Sequence, residues 1–200
     1  MSPDRIHEAM KAGLQLFGEN RVQEAAVKIE QLGGRLHWHF IGHLQKNKVR
    51  SAVDLFEMIE SVDSLLLARE IDREADRAGK VMPILLEPNI AGEKTKFGFQ
   101  PDDLIRQWGE INSLRHLSIH GLMAVPPFAE NPQDSRPYFH TLRELLRRIE
   151  KECGIPLLEL SMGMSHDFEV AVEEGATIVR IGEALFGSRR AQNQASQEEF

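Results

Sequence analysis

Residues 158–187, LELSMGMSHDFEVAVEEGATIVRIGEALFG, decide the fold. They read as strand, Ser/Gly-rich turn, helix, strand, glycine turn and helix start. Residues 158–161 are a short apolar run that breaks into SMGMS. Over 167–174 the apolar positions Phe168, Val170, Ala171 and Val172 predict a short helix, which Gly175 ends. Residues 177–181 are β-branched apart from Arg180 and predict a strand. Both strands end in small residues that open a helix. Helix-opening N–H groups favour anions, and glycines let a phosphate approach the main chain. Two such turns side by side make a phosphate cradle.

Outward from this unit the chain alternates strand and helix. A helix opens it, with Ser2 as cap, Pro3 in the first turn and Ile6, Met10 and Leu14 on one face. Strands are predicted at 14–17, 36–41, 55–59, 81–86 and 116–125, ahead of the two already described. Helices are predicted from Val22 to Leu32 and over 44–53, 65–78, 101–113 and 133–151. Residues 87–98, EPNIAGEKTKFG, form a loop long enough to be functional.

Such alternation implies a parallel sheet with helices outside it. An open doubly wound sheet and an eight-stranded barrel both fit. No GxGxxG or GxxxxGK[ST] follows the early strands, whereas the anion-favouring turns follow the last two. Barrels with phosphorylated ligands place their phosphate site there. The expectation is therefore a (β/α)8 TIM-barrel-like fold with the first strand missing, because the opening helix has no strand to cross over from. Two unpaired barrel edges would be an aggregation liability.

Two hundred residues suit one domain over 1–188 followed by a polar tail over 189–200. The net charge of −7 and the single dense cationic spot, QKNKVR at 45–50, disfavour nucleic acid as a partner. One cysteine, Cys153, rules out an intrachain disulfide and suits a reducing cytoplasm. No apolar run approaches the length of a membrane span, and the N-terminus is too polar for a signal peptide. A soluble, cytoplasmic monomer is expected. Eight histidines occur without an HExxH or CxxC arrangement, so no metal site is expected; no GxSxG elbow is present either.

FGENRVQEA (17–25), WHFIGHLQKNK (38–48), GLMAV (121–125), LSMGMSHDFEVAVEEGATIVRIG (160–182) and ALFG (184–187) resemble the pyridoxal phosphate homeostasis proteins. These are single-domain relatives of the alanine racemase N-terminal barrel, and the similarity runs from about residue 5 to 188. The resemblance implies a barrel that binds pyridoxal 5′-phosphate (PLP) and controls its supply or safe carriage inside the cell, without an established reaction. Implied partners are PLP and PLP-accepting apo-enzymes. In the family, PLP forms a Schiff base with a lysine of a V-S-K-T-like motif ending the first strand. These residues begin at Met1, just after the matching point, and carry no such motif, so no covalent anchor or catalytic residue is expected among them.

The resemblance also implies roles for individual residues. Arg180 resembles the family's arginine facing the pyridine nitrogen, where an always-charged guanidinium keeps that nitrogen unprotonated and the ring a poor electron sink. Its other reading is pairing with a barrel acid. Ser161 resembles a phosphate-binding hydroxyl, or is an ordinary turn serine. Ser165, with Asp167, caps the following helix or touches phosphate. Gly182 and the N–H groups beyond it would complete the cradle, although Glu183 stands where a small residue is usual. Asn20 polarises the ring hydroxyl or caps a helix, His39 lines the site, and Met123 packs against the ring. His43 replaces a common proline and receives no role. Lys96, Lys46 and Lys48 are the remaining amines near the mouth, read as solvated or phosphate-attracting charges. The alternative reading is a racemase-like or aldolase-like PLP enzyme acting on small amino or keto acids. A racemase of that kind takes a catalytic tyrosine from a second domain, and this chain has one tyrosine, Tyr138, and no second domain.

Overall fold

A computed structural model describes residues 2–33, 36–93 and 96–187. Seven strands form one parallel sheet in strict chain order: β1 (Leu16–Glu19), β2 (His37–Phe40), β3 (Met58–Val62), β4 (Met82–Leu86), β5 (Leu117–Met123), β6 (Glu159–Met164) and β7 (Ile178–Arg180). Helices α1 (Pro3–Lys11), α2 (Val22–Leu32), α3 (Val49–Leu55), α4 (Leu65–Arg77), α5 (Pro101–Asn112), α6 (Arg136–Cys153), α7 (Phe168–Glu173) and α8 (Glu183–Phe186) complete the alternation. The polar tail expected over 189–200 lies outside the described residues.

Side-chain alternation sorts each strand between two environments. Register partners Phe17 and Trp38, Phe40 and Ile59, and Leu122 and Leu160 face the helices and belong to the main apolar cluster. Each such fully buried side chain contributes roughly 1.5–3 kcal/mol. The other face points inward, where Met58, Leu85 and Met123 form a second, smaller cluster against which Ile178 packs. Residues of β3, β4, β5 and β7 can meet only if the sheet curls around them. The result is a nearly closed barrel, with β1 and β7 as the edge strands. Arg5 of α1 donates to the carbonyl of Phe186 in α8, tying the first helix to the last.

Two glycines answer to crowding. A Cβ on Gly121 would stand 1.9 Å from the Glu159 carbonyl oxygen across the β5–β6 ladder. Gly163 has φ +90°, and a Cβ there would meet the Ala171 Cβ at 2.5 Å.

Several boundaries differ from expectation. The strand expected at 55–59 is β3, three residues later, because Leu55 still belongs to α3 and the Phe56 N–H closes that helix on Ala52 O. The strand expected at 158–161 continues through the supposed turn to Met164, with Gly163 absorbing the bend. The helix expected over 44–53 is a short 3-10 turn at Lys46–Lys48 leading into α3. The strand expected at 14–17 is shifted to Leu16–Glu19.

No helix among the described residues is long and apolar enough to cross a membrane.

Candidate functional site

All seven strands point the same way, so their C-terminal ends share one rim, the end at which barrels of this kind carry their sites. The loop after β4 borders a cleft of about 310 Å³ there, lined by Glu87, Pro88, Asn89, Lys96, Phe97 and Val125 among others.

Below the rim, a hydrogen-bonded chain crosses the interior. Glu60 of β3 is 1% exposed. Its Oε1 is 2.7 Å from His39 Nδ1, and its Oε2 accepts from Ser161 Oγ at 2.5 Å. Ser161 Oγ in turn accepts from Arg180 Nη1 at 2.6 Å, while Arg180 Nη2 donates to Ala124 O at 2.8 Å. Burial pushes the Arg180 guanidinium below its ordinary value, against the pull of Glu60, Glu87 and Asp167. Two of the guanidinium's five N–H donors are spent in this network, which leaves donors for a ligand.

The opening unit of the sequence builds the second half of the rim. Ser165 Oγ accepts from the amides of Gly182 (3.1 Å) and Ala184 (3.2 Å), so two N–H groups after β7 converge on one oxygen. This corrects the expected cap on the helix after β6. Asp167 is the N-cap residue of α7 but makes no side-chain bond forward; its Oδ1 accepts from the Met164 N–H instead. Glu183 is exposed.

The structure thus brings Arg180, Ser161 and His39 into one network, and Ser165 and Gly182 into a second contact. Ser161, completely buried and bonded on both sides, lies in the interior rather than in an open turn. Met123 is packed in the interior apolar cluster. Asn20 follows β1 on an exposed position, and its side chain makes no hydrogen bond among the described residues; the N-cap residue of α2 is Arg21, which makes no side-chain cap. Lys96 pairs with Glu93 at 2.8 Å, and Lys46 is exposed near Glu70. Tyr138 sits on α6, in the outer layer.

Sequence reasoning missed three residues at or below the rim. Glu60 is a carboxylate at an inward position of β3 and Glu87 one directly after the apolar β4, and acids at such places were the available signal. Burial pushes Glu87 up to about 7, with Asp63 adding to the rise and Arg180 opposing it. His43, left without a role, stacks on Phe97 with ring centroids 3.6 Å apart and its Nδ1 is 3.1 Å from Asp63 Oδ2. No group of three His, Cys, Asp or Glu residues suited to a metal occurs among the described residues.

A nearly closed parallel barrel with its polar site at the C-terminal rim defines a barrel of the alanine racemase N-terminal domain, and residues 4–190 match that family. An alanine racemase from Clostridium difficile shares the fold, with a TM-score of 0.73 at 19% identity, over 90% of this chain and 46% of that one. Much nearer in sequence is the pyridoxal phosphate homeostasis protein of Aquifex aeolicus, 48% identical over 189 residues that cover 94% of this chain and 83% of that one. The human pyridoxal phosphate homeostasis protein is 40% identical over 200 residues, covering 93% and 72%. The structure of PipY from Synechococcus elongatus with PLP bound superposes with a TM-score of 0.86 at 38% identity, covering 92% and 87%. The chain belongs to the pyridoxal phosphate homeostasis protein family.

Proposed function

We propose that this chain binds PLP at the C-terminal rim of the barrel and serves PLP homeostasis in the cytoplasm, holding the cofactor without running a reaction on it. The observation that carries the reading is the position of Arg180, a guanidinium with unspent donors inside the barrel, two residues before Gly182, whose amide converges with that of Ala184 on one oxygen.

The residues present fit the group. The amides of Gly182 and Ala184 already hold an oxygen, that of Ser165, and suit a phosphate oxygen equally well. Arg180 would face the ring nitrogen, Asn20 the ring hydroxyl, and His39 and Met123 would line the walls. Ser161 would serve by holding Arg180, since its hydroxyl is fully committed between Glu60 and the guanidinium.

Bound PLP supplies an aldehyde that captures amines and a ring that withdraws electrons when its nitrogen is protonated. Arg180 works against the second property. A guanidinium donates hydrogen bonds but does not give up a proton near neutral pH, so the nitrogen it faces stays unprotonated. The racemase-like reading needs a tyrosine as proton donor, and Tyr138, on the outer helix α6, makes no hydrogen bond to the Arg180 network among the described residues.

An absorbance titration of the chain with PLP tests the proposal. One equivalent should bind, and Arg180→Gln should weaken binding by about tenfold or more, as expected for loss of a charged hydrogen bond. A chain that binds no PLP overturns the reading, and an unaffected variant overturns the role of Arg180.

A further inference from the structure

Glu60 is the least expected side chain in the barrel. It occupies an inward position of β3, two residues on from Met58 of the interior apolar cluster, and is 1% exposed. Taking a carboxylate out of water costs several kcal/mol unless its oxygens are bonded, and apolar residues of similar volume generally serve stability as well or better. Interior packing alone therefore gives no reason for an acid here.

Its bonds supply one. Each carboxylate oxygen has a single partner, His39 Nδ1 at 2.7 Å and Ser161 Oγ at 2.5 Å. The Ser161 hydroxyl can donate only one proton, which goes to Glu60, so it meets Arg180 Nη1 as an acceptor. The direction of the chain is fixed from guanidinium to hydroxyl to carboxylate. No ion pair joins Glu60 to Arg180 directly among the described residues; the negative charge reaches the guanidinium through one polarised hydroxyl. Such a relay leaves the remaining face of the guanidinium free, which a direct bidentate pair would occupy.

We propose that Glu60 is a positioning residue for PLP: through Ser161, and braced by His39, it fixes the orientation of Arg180 and supplies the counter-charge that keeps the guanidinium aimed at the ring nitrogen. The inference rests on the PLP reading above. It assigns Glu60 no contact with the cofactor and gives the Ser161 hydroxyl the role of a transmitter.

Two ligands separate this role from a merely structural one: PLP, and the analogue in which C–H replaces the ring nitrogen. The phosphate and aldehyde are the same in both, so only the contact made by Arg180 differs. Affinities are measured for the unaltered chain and for Glu60→Gln, with a thermal melt of each ligand-free protein. Glu60→Gln is expected to weaken PLP binding by about tenfold while changing affinity for the analogue less than about twofold, and Glu60→Asp to recover part of the loss. Should Glu60→Gln fail to fold, Ser161→Ala is measured instead; it breaks the same relay and keeps the Glu60–His39 contact, so the same selective loss is expected. Equal losses for both ligands, or none for either, overturn the proposal. An unaltered chain that binds neither ligand overturns the PLP reading and this inference with it, whereas binding of both ligands with equal strength by the unaltered chain removes the ring-nitrogen contact alone.

Discussion

Glu60 and Arg180 lie on β3 and β7, strands that share no edge, and one hydroxyl, Ser161 Oγ, joins them at 2.5 and 2.6 Å. The barrel therefore depends on a single small side chain to connect two buried charges across its interior. Ser161→Ala would leave one carboxylate oxygen and one guanidinium N–H without partners. The expected cost is about 2–4 kcal/mol of folding free energy, read as a lower urea midpoint with unchanged slope. A variant as stable as the original would mean that the connection is not maintained in solution.

Glu87 predicts a pH dependence. Its folded-state carboxyl sits at about 7, raised from 4.5 mainly by burial, with Asp63 adding to the rise and Arg180 opposing it. Between those values the folded protein retains a proton that the unfolded chain has released. Stability from this group is therefore full below pH 4.5 and declines as pH rises to about 7. The decline amounts to at most about 3 kcal/mol. Glu87→Gln should flatten that part of the curve, as seen in urea melts at pH 5 to 8. An identical slope in the variant would contradict the assignment.

Gly121 predicts a steric limit. An alanine Cβ would fall 1.9 Å from the Glu159 carbonyl, well inside contact distance, so β5 and β6 could not keep their present register. Gly121→Ala should destabilise the barrel by roughly 2–4 kcal/mol or more, with loss of soluble protein. Gly109→Ala, on α5 with open space around the new methyl, is the control and should be neutral or stabilising by about 1 kcal/mol.

The legible parts of this chain were those written in local pattern. The β-branched run over 177–181 that holds Arg180, and the glycines around it, announced β7 and its turn; alternation announced a parallel sheet, and the anion-favouring turns after the last two strands favoured a barrel over an open sheet. Motifs such as SMGMS and VRIG carried the family. What stayed hidden was tertiary. Glu60 and Ser61 in MIESV look like loop residues, and the fact that excuses Glu60 is a hydroxyl 101 positions away in sequence. Ser165 read as a local helix cap because Asp167 follows it; its partners are instead amides beyond the next strand, at Gly182 and Ala184. His43 gave no signal because its stacking partner, Phe97, comes from the loop after β4.

The central claim is that PLP sits at the C-terminal rim with its phosphate on the amides after β7. Amide NMR of the isotope-labelled chain during a PLP titration tests this most directly. The account predicts that the Gly182 and Ala184 amides shift together and saturate with the same midpoint, accompanied by those of residues 161–165 and Asn20. Shifts confined to the outer face of α6, around Arg147 and Lys151, with the Gly182 and Ala184 amides unmoved, would contradict it.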